Sequence, residues 1–255
     1  YNWMLRLRTD AWMKEQQNIS YAQSSALLTA LKRQKETAWL NNLSSVPPQQ
    51  ALRHLQTAFQ NFWQKRAAYP TFKKKRGPQA AEYTASAFRW DAVNKTLRIA
   101  KVGRLDIHWS RAFDSTPTTV TITKTPTGRY FVTLCLDEAI NALPKTGAVV
   151  GIDLGISTMA TLSNEERIPN PAHLAANLKR LARLQRTCSR RTKGSGRWHR
   201  ARLRVARLHE HIANLRADHL HQTTIDLVRR FDTITIEDLN VRGMTANHCL
   251  ARAIS

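Results

Sequence analysis

The chain has 255 residues, 42% of them apolar, so it can bury a substantial core and form about one to three domains. Its 40 lysines and arginines exceed its 18 acids and give a formal charge of +22. Because so large a surplus of one sign repels itself, an acidic partner is expected, and a polyphosphate explains the charge best. No apolar stretch is long enough to span a bilayer, and no signal-peptide pattern is present, so no membrane association is predicted.

The cysteines exclude a disulfide framework. Cys135, Cys188 and Cys249 are widely spaced and odd in number, and no C-x-x-C pattern indicates a metal site. This cysteine usage fits a reducing, cytoplasmic setting. The chain opens at Tyr1 within a helical pattern and stops at Ser255 within another, which predicts a fragment of a longer protein.

Residues 1–69 are predicted to be helical. Apolar residues recur there at helical spacing, and Ser45 followed by Pro47 and Pro48 predicts the start of the third helix. The aromatic residues in these helices are expected mainly to pack in a core. The alternative is that some of them stack on exposed bases.

A basic loop and a β-rich region follow. The loop is either a solvated face or a contact for a nucleic-acid backbone, and its candidate residues are Lys73, Lys74, Lys75 and Arg76. Residues 82–136 alternate apolar and polar side chains around turn residues, which predicts an all-β module folded as a small barrel. The predicted bounds of this domain are 70–146.

The third predicted domain covers residues 147–255. Helical sequence runs from about 172 to 230 and breaks at residues 193–196, which predicts a helical hairpin. Residues 179–207 contain no acid, whereas an ordinary exposed helix alternates charges at i,i+4 spacing. This stretch is therefore predicted to contact nucleic acid. The candidate residues are Lys179, Arg183, Arg186, Arg190, Arg191, Arg197, Arg200, Arg204 and Arg207.

Two carboxylate motifs follow apolar, β-branched runs, at residues 151–155 and 236–239. Each predicts a buried strand that carries an acid at its tip, Asp153 or Glu237. If the two strands are parallel neighbours, both acids lie at one end of the sheet, where they repel each other unless a cation is shared. The predicted chemistry is metal-dependent phosphodiester hydrolysis with both acids as ligands. Asp238 is left out, because on a strand it points to the opposite face.

The first carboxylate motif also resembles the first phosphate motif of the actin and Hsp70 type of ATPase. That class needs a second phosphate loop and a glycine-rich adenosine motif. The chain has 9 glycines, and none cluster downstream of the motif. The charge of +22 also fits such an ATPase poorly, so this class is disfavoured.

Six short stretches spread over most of the chain resemble the TnpB (OrfB) proteins encoded by bacterial insertion sequences, which are relatives of the type V CRISPR effectors. They lie at residues 69–73, 88–90, 128–132, 151–155, 202–209 and 236–244, and the last is the most specific.

The resemblance implies an α+β multidomain protein. It consists of a helical recognition lobe, a wedge-type β-barrel and a RuvC-like, RNase H-fold α/β nuclease domain with the basic hairpin inserted. The implied activity is RNA-guided DNA cleavage, with Asp153 and Glu237 as the first two RuvC acids and two Mg²⁺ ions as cofactors. The implied partners are a guide RNA and double-stranded target DNA, and the implied location is the bacterial cytoplasm, at the nucleoid.

The chain also departs from the family pattern, which places a zinc ribbon and a third catalytic Asp after the second acid, and a first barrel strand before Tyr1. Asp218 and Asp226 precede Glu237 and do not fit that order. We therefore expect a fragment that is truncated at both ends, has no zinc site and is inactive alone. The alternative function is non-catalytic nucleic-acid binding, by a guide-RNA-dependent repressor or a decayed transposase remnant.

Overall fold

The computed structural model of the protein describes residues 1–75, 77, 79–139 and 141–247. The chain divides into two compact units, Tyr1–Ala139 and Ile140–Ser255. Both units combine helices with small sheets, so the α+β class is confirmed, whereas the three predicted domain boundaries stay predictions. In the part of the chain that the structure describes, no helix combines the length and the apolar character that crossing a bilayer requires.

The first unit contains three α-helices and six strands among its described residues. The helices are α1 (Asn2–Glu15), α2 (Tyr21–Arg33) and α3 (Val46–Trp63), and 3-10 turns lie at Lys35–Asn42 and Ala85–Ala87. The strands are β1 (Gln79–Thr84), β2 (Phe88–Asp91), β3 (Thr96–Ile99), β4 (Gly103–Leu105), β5 (Thr119–Lys124) and β6 (Tyr130–Cys135).

Local signals in the sequence set the helix starts. Ser20 and Gln23 form a capping box at α2, in which the Ser20 hydroxyl accepts the Gln23 backbone N–H and the Gln23 side chain accepts the Ser20 N–H. Prolines occupy the first turn of α3, where their missing N–H groups cost nothing. The apolar faces of the three helices then meet in one core, made of Met4, Leu5, Leu28, Leu52, Leu55 and Phe59.

The strands of the first unit form two separate antiparallel sheets, with orders β1-β5-β6 and β2-β3-β4. The turn at Ala85–Ala87 carries the chain from the first sheet to the second, and the two sheets pack on a shared core. No strand of one sheet pairs with a strand of the other among the described residues. The prediction of a closed barrel is therefore wrong for this part of the chain, because side-chain packing rather than hydrogen bonding joins the sheets.

The second unit contains one mixed sheet and a long helical hairpin. Its strands are β7 (Val149–Leu154), β8 (Thr158–Leu162), β9 (Arg167–Pro169) and β10 (Thr233–Ile236). Its helices are α4 (His173–Ser189), α5 (Gly196–Arg230) and α6 (Val241–Ala246). The strand order is β10-β7-β8-β9, with β10 parallel to β7 and the other neighbours antiparallel.

The sheet of the second unit buries one face under the end of α5. Val150 and Ile152 on β7 and Leu162 on β8 pack with Leu227 of α5. The hairpin has its own small core midway along α4, in which Leu181 meets Leu208 and Ile212 of α5 and excludes water between the helices. The hairpin predicted from residues 172–230 is therefore observed, with its break between α4 and α5.

Polar contacts fix the junction between α5 and the sheet. Arg230 donates to Glu166 and Asp226, and the hydrogen bond from Arg230 holds the pKa of Glu166 below its usual value. Asp232 accepts the backbone N–H of Thr146 at 3.0 Å and that of Gly147 at 2.7 Å. These bonds lower the pKa of Asp232 and tie the start of β10 to the start of β7.

We predict that Asp232→Asn weakens the second unit in a pH-dependent way. Because folding lowers this pKa below its ordinary value of 3.8, the carboxylate stabilises the fold fully above that value and less as the pH falls through the folded value. The variant should be less stable than the wild type in urea unfolding at pH 7, and the difference should shrink in acid.

The matched control is Asp114→Asn, which removes one exposed carboxylate from the first unit. It should change stability little at either pH. An Asp232→Asn variant whose deficit persists unchanged in acid would show that the charge of Asp232 does not stabilise the junction.

Candidate active site and nucleic-acid interface

Asp153 lies on β7 near its carboxyl end, where pairing on both sides fixes the backbone. It pairs with Thr161 of β8, and its neighbour Ile152 pairs with Ile236 of β10. Ile152 points into the core with only 7% of its surface exposed. Since successive side chains of a strand alternate between faces, Asp153 points away from that core, and it is exposed.

Glu237 follows the last residue of β10. Ile236 is paired in register with Ile152, so continuing the parallel ladder by one residue places Glu237 beside Asp153. Neighbouring strands lie about 4.8 Å apart. The prediction that the first and fourth strands of this region are parallel neighbours is therefore confirmed, and the backbone brings both acids to the same end of the sheet.

The second glycine of the first motif has a structural role. Gly155 stands where the chain turns from β7 into β8, and its N–H donates to the Met159 carbonyl at 3.2 Å. A Cβ on Gly155 would lie 2.6 Å from the Thr158 carbonyl oxygen, so a side chain would displace backbone. Gly151 has only an ordinary contact with Ser163. The motif thus encodes a tight hairpin directly after the acid.

The two acids are not part of a larger cluster in the described structure. Both are exposed, and neither carboxylate accepts a hydrogen bond or forms an ion pair within residues 1–75, 77, 79–139 and 141–247. The same residues contain no group of three or more His, Cys, Asp and Glu side chains that could hold a metal ion.

The other acids near these motifs do not add a third ligand in the described residues. Asp226 accepts a hydrogen bond from Arg230 at 2.9 Å, and Asp218 accepts one from Gln222 at 3.0 Å. Asp238 is exposed and follows Glu237 directly, but β10 ends at Ile236, so the alternation expected from a strand does not extend to Asp238. The acids that the strand register brings to this end of the sheet are Asp153 and Glu237.

The basic residues of the hairpin form two exposed stripes. All the candidates between residues 179 and 207 are exposed. The first stripe lies on α4 and its C-cap, where basic residues follow one another at intervals of four, three and four positions. It consists of Lys179, Arg183, Arg186 and Arg190. The second stripe lies on α5, where the intervals are three, four and three positions. It consists of Arg197, Arg200, Arg204 and Arg207. Such spacing keeps each set on one side of its helix.

The remaining basic candidates lie in two loops. Arg191 is exposed between α4 and α5, beyond both stripes. In the loop after α3, Lys73, Lys74 and Lys75 are exposed, whereas Arg76 lies outside the described residues. The Asn2 side chain accepts the backbone N–H of Lys73 at 2.8 Å, which fixes the start of this loop on α1.

Sequence reasoning missed a pocket in the first unit, because the aromatic residues there were expected mainly to fill the core. Phe59 does so, with 6% of its surface exposed, but Trp12 and Trp63 are 53% and 50% exposed. The positions of the two tryptophans could have indicated their exposure, because they stand in the last turns of α1 and α3, where helix packing ends.

Known proteins resemble this chain over most of its length. Residues 130–248 match the OrfB_IS605 family, which is described as "Probable transposase". A protein of Streptomyces pristinaespiralis, named "Putative RNA-guided DNA endonuclease", is 49% identical over 259 residues, which cover 100% of this chain and 64% of that relative. InsQ of Escherichia coli (strain K12), which has the same descriptive name, is 33% identical over 228 residues, 89% of this chain and 56% of that relative.

The chain thus spans less than two thirds of the length of these relatives. The match to the transposase family includes both acids and both basic stripes. The aligned regions extend the similarity over the whole chain or nearly so. From the family match and these relatives together, the chain belongs to the TnpB (OrfB) family of insertion-sequence proteins.

Proposed function

We propose that this chain is part of a transposon-encoded, RNA-guided DNA endonuclease, in which Asp153 and Glu237 are catalytic acids of a RuvC-like domain. The register of β7 with β10 supports the proposal, because the backbone leads both acids to the same end of the sheet, and neither carboxylate has a hydrogen-bond or ion-pair partner among the described residues. The names of the relatives support RNA and DNA as partners, and we propose a guide RNA and double-stranded target DNA.

The donor set fits Mg²⁺ as a partial site. Exposed carboxylate oxygens are ligands that Mg²⁺ accepts, and this ion keeps several waters when few protein ligands are present. Bound Mg²⁺ activates water and stabilises the charge that develops during phosphodiester hydrolysis. A pair of metal ions needs more anionic ligands than Asp153 and Glu237 supply, and the described residues add no third acid to them.

The backbones of the two acids are supported to different degrees. Strands pair with β7 on both sides, so the backbone of Asp153 is positioned before any substrate binds. Glu237 is anchored only through β10, whose position depends on the Asp232 contacts with Thr146 and Gly147. Asp153 is therefore the fixed element of the pair, and Glu237 is positioned against it.

The basic stripes provide the binding function in this proposal. Lysine and arginine side chains neutralise phosphates without reading sequence, which suits a protein whose specificity comes from a guide RNA. Residues 179–207 contain no acid, so no ion pair within this stretch competes for its arginines. The loop with Lys73, Lys74, Lys75 and Arg76 is proposed as a further backbone contact.

A second candidate is a non-catalytic nucleic-acid-binding protein, such as a guide-RNA-dependent repressor or a decayed transposase remnant. The observation that favours it is the size of the acid set, since two carboxylates alone suit one loosely held ion. The two candidates share the basic stripes and differ in cleavage.

The first of three predictions from the proposed function tests Asp153 and Glu237 in the full-length protein. Asp153→Asn and Glu237→Gln should each remove Mg²⁺-dependent DNA cleavage while RNA affinity stays nearly unchanged, because carboxylates hold metal and arginines hold backbone. Replacing outer partners of metal ligands already costs about 10- to 100-fold, so loss of a ligand should exceed about 100-fold. Asp238→Asn is the control, and cleavage retained by either acid variant would exclude that residue from the site.

The second prediction tests the stripe on α5. Replacing Arg200, Arg204 and Arg207 together by alanine should weaken binding to unrelated RNA sequences to a similar extent. It should also reduce the slope of log affinity against log salt by about 2 to 3, from about 0.7 to 0.9 for each lost phosphate contact.

The control for the second prediction is the triple lysine variant at the same positions, which keeps the charge and should keep the slope. If the alanine variant also has the wild-type slope, the phosphates are bound elsewhere.

The third prediction concerns residues 1–255 by themselves. They should bind nucleic acid but show no guide-directed DNA cutting in Mg²⁺, because Asp153 and Glu237 do not supply the ligands of a metal pair. A plasmid-cleavage assay with guide RNA measures this. Robust cutting would show that another acid, with Asp238 the first to test, completes the site.

A further inference from the structure

The first unit contains a pocket of about 390 Å³ between the C-terminal ends of α1 and α3. We call it the aromatic pocket, and its principal lining residues are Arg8, Trp12, Phe59, Phe62, Trp63 and Tyr69. It is separate from the acid pair and from the hairpin, which belong to the second unit. Its volume lies within the range of natural ligand sites, about 300 to 1,000 Å³.

The walls of the aromatic pocket are rings in contact with one another. Phe59 and Trp63 stack with ring centroids 5.6 Å apart, and Tyr69 forms edge-to-face contacts with Phe59 and Phe62, with centroids 5.6 and 5.2 Å apart. The Tyr69 hydroxyl forms a 2.8 Å hydrogen bond with the Thr9 side chain, which sets the angle of its ring. A ligand that enters therefore meets prearranged aromatic surfaces and orders few side chains.

A buried cation lies at the base of the aromatic pocket. Arg8 is only 5% exposed, and its guanidinium lies 4.2 Å above the centre of the Phe59 ring. Its Nη1 donates to the Gln56 side chain at 2.9 Å, and it has no carboxylate partner within the described residues. A guanidinium has five N–H donors, so this one retains capacity for an electron-rich acceptor.

The rim of the aromatic pocket is polar and uncharged. The chain leaves α1 through Gln16, whose φ of 54° is left-handed, and then passes Gln17 and Asn18 along the pocket. Their carboxamides offer both donors and acceptors. The pocket therefore combines half-exposed aromatic faces, a buried cation and neutral amides.

We propose that the aromatic pocket binds one unstacked base of single-stranded RNA. A base has a flat π-face that stacks on aromatic rings, and its edge has carbonyl and ring-nitrogen acceptors for Arg8 and the rim amides. The charge of +22 favours a nucleic-acid partner over an uncharged aromatic ligand. Single-stranded RNA loops expose their bases, whereas duplex DNA must unpair and unstack one first.

This inference deepens the proposed function and rests on it, because the guide RNA is the source of the base. The basic stripes would hold the RNA by its phosphates, and the aromatic pocket would select an unpaired position. Phosphate contacts position a nucleic acid, whereas base contacts distinguish one site on it from another.

The test uses residues 1–255 and a fluorescent single-stranded RNA, with affinity measured by anisotropy. Trp12→Ala and Trp63→Ala should each weaken binding by about 5- to 150-fold, the range for loss of one base–aromatic stack. Trp39→Ala is the matched control, since Trp39 is 58% exposed in the 3-10 segment Lys35–Asn42, away from the pocket. Circular dichroism confirms that each variant is folded.

A second measurement locates the base directly. RNA that carries 5-iodouridine is irradiated with the wild-type protein, and the cross-linked peptides are identified by mass spectrometry. Cross-links at Trp12, Phe62, Trp63 or Tyr69 support the proposal. Wild-type affinity in both tryptophan variants, with no cross-link in these residues, overturns it.

The remaining outcomes distinguish failure of the aromatic pocket from failure of the proposed function. In the tryptophan variants, loss of affinity for single-stranded DNA of the same sequence, with unchanged affinity for the RNA, would overturn RNA as the occupant. A salt slope that depends on Arg200, Arg204 and Arg207, together with unaffected tryptophan variants, would reject the aromatic pocket but keep the proposed function. Failure of the wild-type chain to bind RNA at all would reject both.

Discussion

Parallel pairing of β7 with β10 is the contact on which the second unit depends. The two strands are separated in sequence by a β-hairpin and both long helices, and their ladder leads Asp153 and Glu237 to the same end of the sheet. Closing so long a connection costs chain entropy. The burial of Val150 and Ile152 under Leu227 and the Asp232 bonds to Thr146 and Gly147 offset that cost. The contacts that close the fold therefore also determine where the two acids emerge from the sheet.

The positive charge of the hairpin is a second constraint, and its self-repulsion opposes folding of the second unit. The hairpin places arginines three and four residues apart without acids between them, which destabilises each helix by a few tenths of a kcal/mol for each pair. Leu181, Leu208 and Ile212 hold the two helices together in spite of this repulsion. The repulsion falls when phosphates bind, so nucleic acid and the folded hairpin stabilise each other.

The sequence predicted the strand pairing of the second unit better than the β-rich region. Apolar runs before Asp153 and Glu237 indicated both strands, and their parallel pairing as neighbours is confirmed. Alternation over residues 82–136 also predicted strands, but it does not say which strands pair, so the separation into two sheets at Ala85–Ala87 was not foreseen. Helical periodicity indicated the apolar faces of α1 and α3, which include Trp12 and Trp63. It does not show where along each helix the packing against its neighbours ends, so the aromatic pocket was missed.

The length of α5 has a mechanical consequence. It is one uninterrupted helix of 35 residues, or about 50 Å, with Arg197–Arg207 near one end and Leu227 and Arg230 at the other. Three residues after Arg230 the chain enters β10, whose last residue precedes Glu237. The α5 helix therefore joins the basic stripe in its first turns directly to the strand that precedes Glu237. A displacement of that stripe along the helix axis would act on the junction of α5, β7 and β10, where Leu227 packs on Val150 and Ile152.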